Sequence, residues 1–307
     1  MSIFTVYKRY PFAVPGRVKF FNLFRLVFRF ALLEKLLISL ILSSQGRLWR
    51  KLIPPLYFYP RGSIRRAERD QINFVLDISK QLDHSIYFCT VRDTAWTNLL
   101  QIIGRDFSII DAGANIGFLT LQFAKRCPQG TVYSLEPDSE TFSRLTRNVN
   151  ANGFKNIKLF RTAVGLRAGT AELFKMYESN PGANRILPAK PAIAVPSEII
   201  EVVSLDELDS RGSFTKVDLI KIDVEGYEMF VLEGARNLIA RCQPILFVEL
   251  VDQNLRLQGC TSASVIEFFR QMNYLTLDAR TMKTLMPSRE HYTDVICFPE
   301  SRKGAYV

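Results

Sequence analysis

The stretch IIDAGANIG, residues 109–117, decides the fold of this chain. Apolar residues run up to an aspartate, glycines follow at positions 113 and 117, and a second apolar run, FLTL, begins at Phe118. This pattern is typical of a short buried strand that breaks into a glycine turn and opens a helix. Such a turn leaves backbone N–H groups free at the helix N-terminus, and its glycines let a polar or anionic ligand group approach the backbone.

A second acidic residue supports a ligand site at this turn. Glu136 directly follows the apolar run TVYSL at 131–135. An acidic residue about twenty positions after a glycine turn accepts hydrogen bonds from the ribose of a bound nucleoside. The two features together predict a nucleoside-like cofactor.

From residue 107 onward, predicted strands alternate with predicted helices. This alternation is typical of an α/β fold with βαβ units and a parallel sheet, and two closely spaced final strands predict an antiparallel addition at one edge. Strands are expected at 107–112, 131–136, 157–164, 171–175, 198–203, 217–224, 244–251, 274–278 and 294–298, and helices at 117–126, 138–151, 206–209, 227–240 and 262–272.

The ends of the expected strands carry candidate ligand-binding residues. Open α/β sheets bind ligands outside the carboxyl ends of their strands, near the switch in strand order. We therefore expect one crevice to be lined by Asp111, Glu136, Ala163, Asp223 and Glu249.

The turn favours one class of nucleoside cofactor. Its pattern is D-x-G-x-N-x-G, which lacks the glycine spacing that binds the pyrophosphate of a dinucleotide. The carboxylate of Asp111 repels a pyrophosphate but suits an ammonium group. S-adenosylmethionine carries a cationic amino-acid end, a sulfonium and a ribose, so acidic residues after the first and second strands match it. A dinucleotide, or a turn that binds no ligand, is the less favoured interpretation.

Several further segments carry a resemblance to a known family. Over residues 105–299 the sequence resembles the FkbM-type methyltransferases, which use S-adenosylmethionine. The resemblance implies a Rossmann-like class I methyltransferase fold with a mostly parallel seven-stranded sheet and helices on both faces. The segments that carry it are 111–117, 136–137, 148–152, 163–165, 204–208, 218–228, 244–249 and 293–299.

The resemblance also implies roles for individual residues. The first turn is expected to line the methionine end of the cofactor, Glu136 to hold the ribose hydroxyls, and Ala163 to lie near the adenine. The expected cofactor-binding residues are Asp111, Gly113, Ala114, Asn115, Gly117, Glu136, Pro137, Ala163 and Asp223.

Asp223 and Glu225 are the candidate catalytic residues. A hydroxyl acceptor needs a group that takes up its proton, and both carboxylates lie at the end of the predicted buried strand 217–224. Glu225 has a second interpretation, as a cap of the following helix. Glu249 and His291 are further candidates, for which a capping residue and a surface histidine are the plainer interpretations. No metal is predicted, because no His-rich group accompanies Asp223 and Glu249.

The basic residues are concentrated at the N-terminus. Residues 1–66 hold 13 Lys/Arg and a single acid, Glu34, whereas the other 241 residues hold 27 Lys/Arg and 29 acids. The nearly neutral body argues against an enzyme with a long nucleic-acid groove. The five cysteines are scattered without a C-x-x-C pair, which argues against a zinc site or a disulfide framework.

The segment 17–53 is both apolar and basic, and three interpretations of it stay open. It forms a helical element on an anionic membrane surface, a helical lid on the core, or a transmembrane anchor. A spanning helix needs about 20 apolar residues, and Glu34 and Lys35 would lie near its middle. We accordingly expect a cytoplasmic protein with peripheral membrane association, and the oligomeric state stays open.

The sequence is expected to divide into three regions. We expect a basic, apolar helical segment at 1–66, a leading helix at 67–82 and strand at 86–91 within 67–106, and the methyltransferase domain at 107–307. The proline-containing loop 176–197 is interpreted as a lid, a substrate-recognition loop or a disordered insertion.

The predicted activity is O-methylation of a hydroxyl on a sugar, glycolipid or secondary metabolite, with S-adenosylmethionine as the donor. Nucleic acid is not expected as a partner. A catalytically silent, membrane-associated scaffold with a methyltransferase fold, and a nicotinamide-dependent reductase, are the alternatives.

Overall fold

The structure is a computed structural model that describes residues 16–43, 46–91, 93–285 and 291–305. The chain divides into two compact units, Met1–Arg92 and Asp93–Val307. The first 15 residues of the expected basic segment, and residues 289–290 beside His291, lie outside the described residues.

The first unit joins helices to a β-hairpin. The expected helical segment contains two separate helices, and Phe30 lies between them. Its elements are α1 (Gly16–Val27), α2 (Ala31–Leu42), α3 (Gly46–Trp49), β1 (Ile64–Arg69), β2 (Ile72–Asp77) and α4 (Gln81–Tyr87), with 3₁₀ turns at Arg50–Leu52 and Leu56–Phe58.

The predicted helix at 67–82 is wrong. β1 and β2 form an antiparallel hairpin whose two-residue loop, Asp70 and Gln71, has positive φ angles of 51° and 61°. Of the residues at helical spacing, Ile72 and Leu76 also fit an alternation of two, which Phe74 completes, and all three are buried. The alternation was the correct pattern.

The predicted strand at 86–91 is also wrong. Ile86 and Tyr87 end the helix α4, and Cys89 has a positive φ of 55°, which lies outside the β region. Ile86, Tyr87 and Phe88 are consecutive buried residues. A short apolar run of this kind does not by itself separate a strand from a buried helix end.

Segment 17–53 is divided among the short helices α1, α2 and α3 and a 3₁₀ turn. Across the described residues, none of the helices has both the length and the apolar character needed to cross a membrane.

The second unit contains the predicted alternation of strands and helices. Its elements are α5 (Thr94–Gln101), β3 (Ser108–Ala112), α6 (Phe118–Arg126), β4 (Thr131–Leu135), α7 (Ser139–Asn150), β5 (Ile157–Phe160), β6 (Ala163–Val164), β7 (Gly169–Phe174), β8 (Arg185–Ile186), β9 (Ser197–Val203), α8 (Leu205–Ser210), β10 (Leu219–Ile222), α9 (Glu228–Glu233), α10 (Arg236–Cys242), β11 (Ile245–Val251), α11 (Asp252–Leu257), α12 (Ser262–Gln271), β12 (Tyr274–Asp278) and β13 (Tyr292–Pro299).

Seven strands form the central sheet in the order β12-β13-β11-β10-β3-β4-β5. The five strands from β11 to β5 are parallel, and β13 and β12 pair antiparallel at one edge. The strand order reverses between β3 and β10, so the carboxyl ends of these two strands flank the switch point where such sheets bind ligands. The predicted fold class is confirmed.

Helices cover both faces because each central strand is apolar on both sides. Ile109 and Leu219 pack in one hydrophobic core, and the adjacent Ile110 and Ile220 pack in the other. A strand that is buried on both faces has a nearly continuous apolar sequence, which is the pattern of β11, ILFVELV.

The predicted strand 157–164 is divided in the structure. β5 ends at Phe160, and Ala163 begins β6 in a separate four-stranded sheet of order β6-β9-β7-β8. This sheet has its own small hydrophobic core.

The predicted helix 227–240 is likewise divided, at Gly234. A Cβ at Gly234 would lie 2.1 Å from the carbonyl oxygen of Gly165, so only glycine fits there. The Gly234 carbonyl accepts a hydrogen bond from the Asp206 N–H, and the Asp206 carboxylate accepts from the N–H groups of Asn237 and Leu238 at the start of α10. Asp206 therefore caps a second helix that the apolar periodicity could not separate from the first.

Candidate active site

The first turn has the conformation that its glycines predict. Gly113, Asn115 and Gly117 have φ angles of 80°, 51° and 86°, all in the left-handed region. The N–H groups of Gly113 and Ala114 both donate to the carbonyl of Leu135 at 3.0 Å, which ties the turn to the end of β4. The turn is thereby fixed at the switch point of the sheet.

Asp111 lies at the end of β3, but its side chain is fully buried. Thr120 Oγ1 donates to its Oδ2 at 2.6 Å, and Lys221 Nζ lies 3.2 Å from its Oδ1. The carboxylate therefore binds groups inside the unit, whereas the sequence suggested that it would face the amino group of the cofactor.

Lys221 is a site residue that the sequence reasoning missed. Its buried ammonium donates to the carbonyls of Gly113 at 2.7 Å and Ala112 at 3.3 Å, and it lies 3.5 Å from Asp223 Oδ2. Burial alone lowers the pKa of this lysine, but the charges of Asp223 and Asp111 outweigh burial and hold the pKa above its usual value. A lysine inside the apolar strand LIKI was the available signal.

Glu136 lies directly beside the turn. Its two oxygens accept hydrogen bonds from the N–H of Asn115 at 2.9 Å and the N–H of Asp138 at 3.0 Å, across the half-buried Pro137. Burial raises the pKa of Glu136 to about 7. A carboxylate has about four acceptor positions, so acceptor capacity remains for ribose hydroxyls.

Ala163 lies apart from the strand end that the sequence predicted for it. It pairs with Val202 in the four-stranded sheet and packs with Leu173 and Ile200. Its role beside the adenine stays a prediction.

Asp223 and Glu225 lie in a turn, so strand alternation does not relate them. β10 ends at Ile222, and Glu225 has a left-handed φ of 56°. Asp223 packs against the first turn, because a Cβ on Gly113 would lie 1.9 Å from the Asp223 carbonyl oxygen. The Asp223 side chain is 36% exposed, so a ligand can reach its carboxylate, whereas the Asp111 side chain is fully buried.

Glu225 is held by two side chains from other elements. Its Oε2 lies 3.2 Å from Arg185 Nη2 and accepts from Asn254 Nδ2 at 3.0 Å. Arg185 also donates to Asn254 Oδ1 at 2.7 Å, which closes a three-residue network. Sequence reasoning had no pattern that pointed to Arg185 or Asn254.

The helix-capping role considered for Glu225 belongs to another residue. Glu228 Oε1 accepts from the N–H groups of Val224 at 3.2 Å and Gly226 at 3.0 Å. Burial raises the pKa of Glu228 to about 7. Glu228 therefore makes the capping hydrogen bonds, and Glu225 binds Arg185 and Asn254.

The carboxylates near the end of β10 act on one another electrostatically. Burial and the charge of Asp223 raise the pKa of Glu225 to about 7. The charge of Asp223, and then burial, hold the pKa of Glu249 far above its usual range. A site with this excess of negative charge favours a cationic ligand and favours proton uptake by a carboxylate.

The two further candidates lie where β11 and β13 pair, and their roles stay predictions. His291 is half-buried, and its backbone N–H donates to Ser262 Oγ while its carbonyl accepts from Asp252. Glu249 lies opposite Asp294 in the antiparallel pair of β11 and β13. In the part of the chain that the structure describes, no group of three or more His, Cys, Asp or Glu residues is arranged to hold a metal ion.

The loop 176–197 contacts both sides of the switch point. Asn184 Nδ2 lies 3.5 Å from Asp138 Oδ2 beside Glu136, and Arg185 reaches Glu225. Gly182 lies against the first turn, because a Cβ there would be 2.8 Å from Asn115 Nδ2.

The residues fit S-adenosylmethionine. Glu136 has acceptor positions beyond the two N–H groups that it binds, and Asp223 presents an accessible carboxylate to a cation. Asn184 Oδ1 is moreover a buried acceptor for which the described residues supply no hydrogen-bond partner. A buried polar atom of this kind is satisfied by a ligand or by water.

Comparison with known proteins identifies the family. The Methyltransferase FkbM domain matches residues 111–276, which is more than half of the chain. The chain belongs to this family. The match confirms the resemblance that the sequence carried and supports S-adenosylmethionine as the cofactor.

Three curated proteins illustrate the similarity. "Methyltransferase 1" of Beauveria bassiana is 30% identical over 146 residues, covering 42% of this chain and 58% of that protein. "Hexuronic acid methyltransferase AglP" of Haloferax volcanii is 31% identical over 143 residues, covering 46% and 55%. "2-O-methyltransferase NoeI" of Sinorhizobium fredii is 23% identical over 161 residues, covering 48% and 64%. The matches thus span a little over half of each relative.

Proposed function

We propose that this protein is an S-adenosylmethionine-dependent O-methyltransferase that acts on a sugar hydroxyl. One observation carries the proposal: the glycine turn 113–117 packs against the backbone of Asp223, whose carboxylate is accessible, at the switch point of the sheet. The catalytic domain is assigned to 107–307. When bound, S-adenosylmethionine supplies a methyl group activated by a sulfonium.

The residues around the first turn would bind the methyl donor. Glu136 and Asn184 offer acceptors for the ribose, and the turn 113–117 lines the methionine end, while Ala163 borders the adenine. Asp223 would face the cationic end, because its carboxylate is accessible whereas that of Asp111 is not. Asp111 acts through Lys221, which holds the carbonyls of Ala112 and Gly113 in place.

Glu225 would take the proton of the acceptor hydroxyl. Efficient general bases have a pKa close to the working pH, and burial with the charge of Asp223 raises the pKa of Glu225 to about 7. Arg185 and Asn254 hold the carboxylate in one orientation, which lowers the entropic cost of aligning the acceptor.

The acceptor class follows from the relatives and from the lining of the site. AglP is named for a hexuronic acid and NoeI for 2-O-methylation, so a sugar is the preferred acceptor. Carboxylate, amide and guanidinium groups such as those of Glu225, Asn254 and Arg185 hydrogen-bond well to adjacent hydroxyls. A sugar carried on a lipid would suit the basic segment 17–53, with the protein acting peripherally at the cytoplasmic side of a membrane.

Testing the activity requires a labelled donor and a panel of acceptors. The protein is incubated with methyl-labelled S-adenosylmethionine and with methyl glucuronide, free hexuronic acids and extracted glycolipids, and products are identified by mass spectrometry. Labelled O-methyl sugar supports the proposal. Label on nitrogen, or oxidation of NADH without label transfer, would replace it with another activity.

The pH profile tests the role of Glu225. If its carboxylate is the base, kcat/KM rises with pH and levels off above about 7, because protonation below that pH removes the acceptor of the proton. We expect Glu225→Gln to lower kcat by about 10²–10⁴-fold and to remove this limb of the profile.

A matched control is Glu233→Gln. Glu233 pairs with Arg236 on the surface of the unit, so its substitution should leave both kcat and the pH profile unchanged. A Glu225→Gln enzyme that kept the wild-type profile would exclude Glu225 as the base.

A further inference from the structure

Helix α2 has two chemically different faces. Its inner face consists of Glu34, Leu37, Ile38 and Ile41, which are all buried. On the opposite side, Leu32 is 83% exposed and Leu36, one turn later, is 52% exposed. The helix therefore presents large apolar side chains to the outside while its one acidic residue points inward.

The inward acid is neutralised inside the unit. Glu34 is fully buried, and its oxygens accept hydrogen bonds from Arg65 at 2.7 and 3.0 Å and from the Tyr87 hydroxyl at 3.1 Å. Glu34 is also the single acid among residues 1–66, which carry 13 Lys/Arg. No carboxylate side chain of this segment is thus available to offset its cations at the surface.

Exposed apolar residues are concentrated in the same segment. We define the apolar face as Leu23, Val27, Phe30, Leu32, Leu36 and Leu42, with exposures of 55%, 53%, 69%, 83%, 52% and 67%. Soluble proteins rarely expose large contiguous apolar patches without a partner. Basic residues accompany this face, among them the exposed Lys35.

We propose that the apolar face of α1 and α2 docks this protein on an anionic lipid surface, with the helices lying in the membrane interface. Interfacial helices combine apolar side chains that enter the acyl boundary with basic residues that contact anionic headgroups. Across the described residues no helix could span a bilayer. The pairing of Glu34 with Arg65 holds α2 to the unit by its opposite face.

The positive charge of the segment favours an anionic lipid surface over a second copy of the chain. Two copies meeting at this face would bring together two segments that each carry 13 Lys/Arg and one buried acid. Like charges oppose that association, whereas a phosphatidylserine surface attracts the same cations. The proposal is independent of the methyl-transfer reaction, so the failure of either leaves the other standing.

Vesicle flotation tests the proposal. The full chain is mixed with vesicles of phosphatidylcholine alone, or of phosphatidylcholine with phosphatidylserine, and centrifuged through a density gradient. We expect flotation with the phosphatidylserine vesicles that declines as salt is added, and little flotation with phosphatidylcholine alone.

The variant Leu32→Ser/Leu36→Ser is expected to lower the bound fraction about tenfold or more, because two leucines no longer enter the interface. Phe30→Ser, outside both helices, provides a second variant, and circular dichroism establishes that each is folded. The matched control is Ile193→Ser/Ile199→Ser, which removes two residues that are 79% and 70% exposed in the other unit. The control should float like the wild type.

Three results would overturn the proposal. The first is no flotation of the wild type with phosphatidylserine vesicles at low salt. The second is a folded apolar-face variant that floats as well as the wild type. The third is a lipid-free dimer, seen by light scattering, that Leu32→Ser/Leu36→Ser converts to a monomer, because that result assigns the face to a second copy.

Discussion

Replacing Gly113 by alanine is expected to abolish S-adenosylmethionine binding and to lower the free energy of unfolding by roughly 3 kcal/mol or more. The added Cβ would lie 1.9 Å from the carbonyl oxygen of Asp223, and the residue would keep a φ of 80°. Because the obstacle is backbone and not a flexible side chain, the first turn and the turn after β10 must move apart. Both turns contribute to the proposed donor site.

A control variant separates the clash from the backbone strain. Gly259→Ala introduces alanine at a φ of 75° with no atom within 4 Å of the new Cβ. It should lower the free energy of unfolding only by the strain of a left-handed alanine, about 1–2 kcal/mol. Thermal or urea unfolding measures both variants, and calorimetric titration measures donor binding. Equal effects of the two substitutions would show that the contact between Gly113 and Asp223 is unimportant.

Replacing Lys221 by methionine is expected to destabilise the second unit by about 3–5 kcal/mol. The substitution leaves the carboxylate of Asp111 fully buried without its ion pair, and it removes the donor to the carbonyls of Ala112 and Gly113. A buried charge without a partner is strongly unfavourable, whereas the intact pair alone contributes little net stability.

A double-mutant cycle tests this explanation. Asp111→Asn removes the charge while keeping a polar group near Thr120, so the double variant Asp111→Asn/Lys221→Met should be more stable than Lys221→Met alone. Lys216→Met is the control, because Lys216 is half-exposed and pairs with Asp106 at the surface. Additive effects of Asp111→Asn and Lys221→Met on urea unfolding would contradict a coupled buried pair.

Most of the sheet could be predicted from the sequence because its strands are buried on both faces. The runs at β3 and β4 and the glycine turn between them each have one physical interpretation, and the structure contains all three. Antiparallel pairing at the edge followed from two short final strands.

The errors arose where one apolar pattern fits two structures. Residues 67–82 suggest a helix because Ile72 and Leu76 fit both spacings and Val75 fits the helical one, and the polar loop of Asp70 and Gln71 lacks the glycine that usually marks a hairpin turn. The break at Gly234 depends on the contact with Gly165, which lies far away in sequence.

The residues that support the site were harder to predict than those that define its motif. Asp223 and Glu225 belong to a recognisable segment, but Arg185 and Asn254 reach Glu225 only because the loop 176–197 and α11 fold beside β10. The full burial of Asp111 was also not readable from the sequence, because the same pattern is expected for an exposed carboxylate. Only the lysine within an apolar strand signalled a buried ion pair.

Calorimetric titration of the full chain with S-adenosylmethionine, with NAD as the comparison ligand, tests directly whether the first turn and Glu136 bind the methyl donor. We expect binding of S-adenosylmethionine and none of NAD, with affinity reduced about tenfold or more in Glu136→Gln, where a charged acceptor of the ribose is lost. Glu140→Gln, an exposed residue on the adjacent helix, should bind like the wild type. Absence of S-adenosylmethionine binding, or equal affinity in Glu136→Gln, would contradict the account.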